Sequence, residues 1–209
     1  TNTKCTNSQK VPLASGKATV TGDTTGCKNE FGSSNIFCGT TVDMVGPQRY
    51  YTVSMKKGNQ YALTLKPTFE AHLYVFMESD CSDPGDIDIS CGSGGFQGGV
   101  IGPVAKGSSK TLSITPIYDG NYVVAVDSGV SSLAGAFSLD ITELAPITNT
   151  TCAKAKPVAL TGSVTTIKGN TGVIKDEYPG LSCAGNVKLS GPQLYYKLSL
   201  IKGHHYMLT

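Results

Sequence analysis

Two stretches of the sequence are closely similar: GPQRYYTVSMKKGNQYALT at residues 46–64 and GPQLYYKLSLIKGHHYMLT at residues 191–209. They are identical at 11 of 19 positions without a gap. In the first stretch, YYTVSM (50–55) and QYALTLKP (60–67) carry the β-branched and aromatic residues that strands favour, and the glycine of a tight turn lies between them. The stretch therefore predicts a β-hairpin, and its recurrence predicts a repeated unit.

The repeat extends back to the start of the chain. The aligned segments are TNTKC (1–5) with TNTTC (148–152), CKNEF (27–31) with VIKDEY (173–178), and Cys38 with Cys183. A period of about 146 residues is too long for a solenoid and indicates tandem globular domains. We therefore expect a complete domain over residues 1–145 and the first part of a second over residues 146–209. We also expect the chain to be part of a longer polypeptide.

Further strand signals follow the first stretch at short intervals. They are AHLYVFM (71–77), SKTLSITP (109–116), NYVVAVDS (121–128) and GAFSLDIT (135–142), with one or two shorter strands before residue 25. No window has a convincing helical period. About eight short antiparallel strands with turn sequences between them predict an all-β fold, an antiparallel β-sandwich of jelly-roll type.

The composition excludes several classes of partner. Charged residues make up only 15% of the chain and the net charge is +2, which leaves no electrostatic footprint for nucleic acid or an anionic membrane surface. No apolar run approaches the roughly 18 residues of a membrane span. The first ten residues, TNTKCTNSQK, are polar and contain no signal peptide, so a secreted protein would already have lost its leader.

Seven cysteines without a Cys-x-x-Cys pair favour disulfides in an oxidising compartment over zinc or redox chemistry. Two cysteines recur in both copies, and a recurring pair is best explained by a bond, while two others flank an acidic loop. The predicted bonds are Cys5–Cys38, Cys152–Cys183 and Cys81–Cys91. Cys27 is left over, either as a buried, poorly reactive thiol or as one half of an intermolecular disulfide.

The order of these motifs resembles a known family. A cysteine near the start is followed by GDTTG, NE, a second cysteine and GPQRYY, and later by YALTLKP, LYVF, NYVVAVDS and GAFSLDI. This succession is similar to that of bacterial pre-peptidase C-terminal domains, especially the cysteine-bearing versions in large secreted proteins of myxobacteria. The resemblance covers residues 1–142 and 148–209. Family members often carry an acidic residue where Gln48 and Gln193 stand.

The resemblance implies an accessory β-sandwich module of an exported protein. Such modules are associated with secretion, surface attachment or binding of insoluble substrates, and some bind calcium.

Local catalytic signatures are absent from the sequence, which contains neither G-x-S-x-G nor H-E-x-x-H. The glycine-rich stretch CGSGGFQGG (91–99) lacks the Lys-Ser/Thr of a phosphate loop. His72 is expected at a solvated or rim position, because it lies on the face opposite the apolar residues of its strand. His204 and His205 are neighbours in a predicted strand and would point to opposite faces, which prevents joint chelation. We therefore expect no enzymatic activity within this chain.

Two acidic groups are candidate calcium sites. The first is the segment DCSDPGDIDISC (80–91), whose carboxylates belong to Asp80, Asp83, Asp86 and Asp88; a solvated turn is the alternative, since Asp-Pro-Gly is a good turn sequence. The second is a pair that occurs in both copies and indicates a shared calcium or capping role. Its members are Asn29 and Glu30, with Asp176 and Glu177 as their counterparts.

Two tyrosine pairs are candidates for stacking on sugar rings: Tyr50 with Tyr51, and Tyr195 with Tyr196. Neighbouring strand residues face opposite ways, so at most one ring of each pair should be in the core, and packing is the alternative for both. Asn149-Thr150-Thr151 is an acceptor sequence for glycosylation.

These features predict a noncatalytic extracellular module of a larger secreted or cell-surface protein, acting in adhesion, substrate binding or surface attachment. Its expected partners are further tandem domains or neighbouring identical chains, and extracellular polysaccharide or protein. The first alternative is a structural subunit of a fibre or surface layer, completed by strands from a neighbouring chain. The second is an accessory domain of a secreted peptidase.

Overall fold

The computed structural model describes residues 2–31, 44–83, 85–87, 98–144, 148–160, 164–167, 181–183, 187–189, 191 and 193–207. The chain divides into two compact units, Thr1–Pro146 (unit 1) and Ile147–Thr209 (unit 2). Among the described residues, none of the helical segments has the length and hydropathy needed to cross a bilayer.

Unit 1 is built from short strands that follow the predicted segments closely, except for β6, which no predicted segment covers. They are β1 (Gln9–Lys10), β2 (Lys17–Asp23), β3 (Arg49–Met55), β4 (Gln60–Pro67), β5 (Ala71–Met77), β6 (Gly99–Val104), β7 (Lys110–Ile114), β8 (Gly120–Asp127) and β9 (Ala136–Leu144). Short 3₁₀ turns occupy Cys5–Asn7 and Glu78–Ser82.

These strands form two sheets that face each other. One sheet has the order β1-β3-β8-β5-β6 and the other has the order β2-β9-β4-β7. All described pairs in unit 1 are antiparallel except β1 with β3, which is parallel. The prediction of an all-β sandwich is confirmed.

The predicted hairpin in the repeated stretch is wrong. β3 pairs with β1 and β8 in one sheet, whereas β4 pairs with β7 and β9 in the other. The Lys-Gly turn is therefore a corner between the two sheets, with Gly58 at φ +79°. Its structure is fixed by a side chain, because the Tyr61 hydroxyl accepts a 2.9 Å hydrogen bond from the Lys56 N–H.

The core has two parts, one on each face of the five-stranded sheet. Leu73 and Val75 of β5 point into the main core between the sheets, together with Leu63 of β4. Tyr74 and Phe76 point to the opposite face, which we call the outer face. A second apolar cluster covers the outer face: Cys5, Met44, Tyr50, Tyr74, Phe76, Ile87, Val123 and Ala125. Burial on both faces explains why β8 carries the uninterrupted run YVVAV.

The described residues of unit 2 include short strands and a 3₁₀ turn at Cys152–Lys154. The described strands are β10 (Lys156–Val158), β11 (Leu181–Cys183), β12 (Val187–Leu189) and β13 (Tyr196–Leu198). β10 pairs with β13 in parallel, and β11 pairs with β12 in antiparallel fashion. The parallel pair matches β1 with β3, since Gln9 lies opposite Tyr51 and Lys156 lies opposite Tyr196.

The first residues of each unit form the same clamp on the repeated motif. In unit 1 the Tyr50 N–H donates to Asn2 O at 3.0 Å, and the Asn2 amide donates back to Tyr50 O at 3.0 Å. In unit 2 the Tyr195 N–H donates to Asn149 O at 2.9 Å, and the Asn149 amide donates back to Tyr195 O at 2.9 Å. The Asn-Tyr clamp explains why both Thr-Asn-Thr and the distant tyrosine recur in the sequence.

The corner after the repeated strand also has the same local structure in unit 2. The Tyr206 hydroxyl accepts from the Ile201 N–H at 3.1 Å, and Gly203 has φ +87°. Described residues 199–207 are nevertheless outside any strand, whereas their counterparts in unit 1 include the end of β3 and the start of β4. The turn therefore forms from its own residues, without the sheet pairing that surrounds it in unit 1.

Candidate functional site

The Gly-Pro-Gln motif of unit 1 lies at the start of β3, on the outer face. Gly46 packs so closely that a Cβ atom there would lie 2.6 Å from both Asp127 Oδ1 and Ser128 O. Two residues on, the Gln48 side chain is fully buried. The glycine is required by this close approach and places the glutamine amide inside the protein.

Gln48 binds the acidic pair that recurs in the sequence. Its Oε1 accepts from the Glu30 N–H at 2.7 Å, and its Nε2 donates to Asn29 Oδ1 at 3.0 Å and to Met44 O at 3.3 Å. A carboxylate at this position could not donate the last two hydrogen bonds. Gln48 is thus matched to its surroundings.

Asn29 and Glu30 have structural partners of their own. Asn29 Oδ1 also accepts from the Phe31 N–H at 3.1 Å, and Glu30 Oε2 accepts from the Cys5 N–H at 2.7 Å. These contacts fit the capping role proposed for the pair, because they hold the turn and the N-terminal segment on the sheet. Their counterparts Asp176 and Glu177 lie outside the described residues.

A row of polar side chains crosses the outer face beside this pair. His72 of β5 lies opposite Asp127 of β8, and Gln48 precedes Arg49, which lies opposite Val126. We call Gln48, Asp127 and His72 the polar row. All three side chains are buried, and sequence analysis did not single out this combination.

His72 does not have the predicted solvated position. Its side chain is only 2% exposed, and neither ring nitrogen has a hydrogen-bond partner. Gly102 leaves the space for the ring, since a Cβ there would overlap the imidazole. Burial lowers the pKa of His72, and Glu70 opposes this shift. The prediction failed because it assumed that one face of β5 is open to water.

Asp127 is the acid of the polar row, and its pKa is strongly shifted. Its Oδ1 accepts from the Ser128 N–H at 2.6 Å, while Oδ2 has no hydrogen-bond partner. Burial raises the pKa of Asp127 to about 8, although hydrogen bonds from Ser128 and Gln48 oppose the shift. The carboxyl group therefore holds a proton over much of the neutral range. With no exposed surface, it cannot contact a substrate in this conformation.

The acidic loop uses its carboxylates locally. Asp80 accepts from the Met77 N–H at 3.2 Å and from the Ser79 hydroxyl at 2.9 Å. Asp83 accepts from the Gly85 N–H at 2.8 Å, as expected for a turn. Asp86 is exposed, and Asp88 lies outside the described residues. In the described part of the chain, no three side chains of metal-binding type converge.

The disulfide pairing differs from the predicted one. Cys5 is bonded to Cys81, with the Cα atoms 5.4 Å apart, so both Cys5–Cys38 and Cys81–Cys91 are wrong. The two 3₁₀ turns that carry these residues pack against each other, which recurrence in sequence could not reveal. Cys38 and Cys91 lie outside the described residues, as does the side chain of Cys183, the predicted partner of Cys152.

Cys27 has a free, half-buried thiol that donates to Asp23 O at 3.8 Å. Burial raises the pKa of Cys27, and the Arg49 guanidinium opposes the shift. The thiol is therefore mostly protonated at neutral pH and a weak nucleophile.

Neither tyrosine of the first pair is open to a sugar. Tyr50 is fully buried in the outer cluster, where Phe31 packs edge-on with the centroids 6.3 Å apart, and Tyr51 is 2% exposed in the main core. Adjacent residues do point to opposite faces, but both faces are covered. In unit 2, Tyr195 and Tyr196 are half-buried.

The other two sequence candidates are in unit 2. Asn149 of the glycosylation acceptor is 6% exposed and its amide nitrogen is engaged in the Asn-Tyr clamp, so folded unit 2 does not offer it for modification. His204 stacks on Tyr206 with the ring centroids 6.4 Å apart. His204 and His205 are both exposed and lie outside any strand.

Known proteins resemble this chain only weakly. No family model and no curated protein sequence matches it. Among solved structures, the periplasmic inhibitor of g-type lysozyme PliG from Aeromonas hydrophila is similar with a TM-score of 0.39 and 15% identity, covering 66% of this chain and 96% of that chain. The pre-peptidase C-terminal domain of collagenase from Bacillus anthracis gives 0.38 and 10%, covering 65% and 95%.

A third structure is CorA, a surface-associated copper-binding protein of Methylomicrobium album BG8, with a TM-score of 0.37 and 9% identity, covering 66% of this chain and 98% of that chain. With TM-scores below 0.5, none of these likenesses bears on what this chain binds. Membership of the pre-peptidase C-terminal family stays a prediction.

Proposed function

We propose that this chain is a noncatalytic extracellular module of a larger secreted or cell-surface protein, acting in adhesion, substrate binding or surface attachment. The observation that carries the proposal is that polar side chains of the candidate sites form hydrogen bonds with the backbone. Asn29, Gln48, Asp80 and Asp83 all bind backbone groups of unit 1. Such hydrogen bonds stabilise loops and turns, which is a structural role.

An oxidising location is supported by the Cys5–Cys81 bond, since disulfides persist mainly outside the reducing cytosol. Tandem organisation is supported by the Asn-Tyr clamp and by the matching parallel strand pairs of the two units. On this proposal, residues 146–209 are the first part of a second copy of residues 1–145.

The test is retention of the oxidised chain on insoluble extracellular polymers, with chitin, cellulose and fibrillar collagen as probes. We expect saturable retention on at least one polymer and no soluble sugars or peptides released. Release of soluble products would contradict a noncatalytic role, and absence of retention on all three polymers and on cells of the source would contradict a binding role. The control is Cys27→Ser, which lacks the free thiol and keeps the disulfide. It should be retained to the same extent as the parent chain.

A second function, a subunit of an extracellular fibre or surface layer, is favoured by one feature of unit 2. Leu200, Tyr206 and Met207 are 57%, 41% and 87% exposed. Exposed apolar side chains next to a strand are typical of a surface that another strand covers. Electron microscopy of concentrated protein tests this function; a strictly monomeric species at all concentrations would contradict it.

A further inference from the structure

The edge strand β6 of the five-stranded sheet is weakly held where it passes His72. Within the described residues, β6 pairs in the sheet with β5 alone, and the register of that pair shifts between Ala71 and Leu73, at the position of the histidine. Residues 102 and 103 of β6 there face the single residue 72 of β5, as in a β-bulge, which disrupts the ladder locally. Pro103 also has no N–H to donate.

The His72 ring packs directly against β6. Gly102 leaves room for it, since a Cβ at this glycine would lie 2.6 Å from His72 Nε2, and Tyr74 lies on the other side with the ring centroids 6.2 Å apart. His72 is 2% exposed, and in the described part of the chain neither ring nitrogen has a hydrogen-bond partner. An imidazolium in this place would carry a charge and two N–H donors away from water, which costs far more than a neutral ring.

The ionisable groups around His72 give a proton on it little stabilisation. From β8, Asp127 lies opposite His72, but with a pKa of about 8 its carboxyl group is uncharged at acidic pH. From β7, the positive charge of Lys110 lowers the pKa of His72, and Glu70, exposed before β5, raises it. Strand β6, with the sequence GVIGPV, carries no ionisable side chain. Burial outweighs the attraction of Glu70, so the pKa of His72 is lowered.

We propose that β6 is an acid-released edge strand and that His72 is the group that senses the pH. A proton on His72 places a charge between β5 and β6. The same charge repels Lys110, whose Nζ donates a 2.8 Å hydrogen bond to Pro103 O and so ties β6 to the second sheet. Release of β6 lets water reach the imidazolium. It also uncovers apolar surface, because Val100 packs against the outer cluster and Val104 is buried in the main core.

The sign of the pH dependence follows from proton binding. The pKa of His72 has its ordinary value of 6.5 once β6 is released, and a lower value while β6 is in place. The closed form is therefore fully favoured above pH 6.5 and loses stability relative to the released form as the pH falls below 6.5. Asp127 has the opposite effect, since its raised pKa stabilises folded unit 1 as the pH falls. Release of β6 is thus separable from unfolding of unit 1.

The experiment is hydrogen exchange of the oxidised 209-residue chain at pH 7 and pH 5, read by mass spectrometry of peptides that cover β6, β3 and β8. After correction for the intrinsic exchange rates, protection of β6 should fall at least tenfold between pH 7 and pH 5. Protection of β3 and β8 should not fall. No loss of protection in β6, or an equal loss in all three strands, would overturn the proposal.

Two variants, His72→Leu and His72→Gln, remove the titrating ring, one with an apolar and one with a polar side chain of similar size. Protection of β6 should be independent of pH in each folded variant. The control is His204→Gln, which replaces an exposed histidine of unit 2 and should keep the tenfold loss in β6. The parent's pH dependence persisting in a folded His72 variant would overturn the assignment of the sensor. The inference goes beyond the proposed module function and does not depend on it.

Discussion

Units 1 and 2 begin in the same way and differ in what covers them. Each has the Asn-Tyr clamp, a 3₁₀ turn after it, a parallel strand pair and a glycine corner fixed by a tyrosine hydroxyl. In unit 1 these elements belong to two sheets that enclose a core, and in unit 2 Leu200 and Tyr206, the counterparts of two core residues, are exposed. The comparison indicates that local sequence forms the clamp and the corner, whereas burial of the apolar side chains depends on strands that are distant in sequence, such as β8 in unit 1.

The largest expected difference is between two matched tyrosine substitutions. Tyr61→Ala removes a core ring and should lower the free energy of unfolding of unit 1 by about 4 kcal/mol. Tyr206→Ala removes a partly exposed ring and should change that of unit 2 by less than about 1 kcal/mol. Urea unfolding followed by amide NMR signals of each unit measures both. Equal losses would mean that unit 2 has a closed core.

The disulfide should stabilise unit 1 alone. A double Cys5→Ser, Cys81→Ser variant opens a link that spans 76 residues, and the chain-entropy model gives a loss of about 4.5 kcal/mol. The same urea experiment should show a lower midpoint for unit 1 and an unchanged one for unit 2. Cys27→Ser serves as the control and should differ from the parent by less than about 0.5 kcal/mol. An unchanged midpoint for unit 1 would contradict the observed pairing.

The buried acid of the polar row should make the stability of unit 1 depend on pH in an unusual direction. The pKa of Asp127 is about 8 in the folded chain and 3.8 in its ordinary state, so the folded state retains a proton that the unfolded state releases. The contribution that protonated Asp127 makes to the stability of unit 1 is fully present below about pH 4 and is lost as pH rises through 8. Relative to Asp127→Asn, the parent should lose about 4 kcal/mol between pH 5 and pH 8. A constant difference between the two proteins would contradict the assignment.

The smallest effect should be common to both units. Asn2→Ala and Asn149→Ala each remove the amide-to-carbonyl hydrogen bond of the clamp, and each should lower the stability of its own unit by about 1 kcal/mol. Asn2→Ala also removes the 2.9 Å hydrogen bond that Arg49 Nη1 donates to Asn2 Oδ1, so its effect should be the larger of the two. Asn149→Asp keeps the shape but loses the donor, and should have a similar effect, whereas Asn2→Asp keeps the hydrogen bond from Arg49 and should lose less. The NMR-detected urea midpoints give both values. A loss of stability in unit 1 without one in unit 2 would show that the clamp stabilises unit 1 alone.

Strand positions could be predicted from the sequence because side-chain type and turn residues determine them locally. The pairing of β3 and β4 could not, since a glycine turn between two strands serves a hairpin and a sheet corner equally well. The environment of His72 was missed for a related reason. Tyr74 and Phe76 share its side of β5, and the run YVVAV in β8 was a further signal that both faces of the sheet are buried.

The polar row was harder to find because its members come from three separate segments. Recurrence drew attention to Gly46 and Gln48 as letters of a motif, yet their partners Asp127 and Asn29 lie at sequence distances that only the fold joins. The Cys5–Cys81 bond is of the same kind. It connects two turns that approach each other over the outer face, and a repeat in which Cys5 and Cys38 both recur pointed to the wrong partner.

The most direct test of the difference between the units is native-state hydrogen exchange of the oxidised chain. The amides of Tyr51 and Val53 in β3 should exchange only by global unfolding of unit 1, because β8 covers that edge. The amides of Tyr196 and Leu198 in β13 should exchange at least a hundredfold faster. Equal protection of the two pairs would show that the edge of β13 is covered, and would contradict the difference between the units.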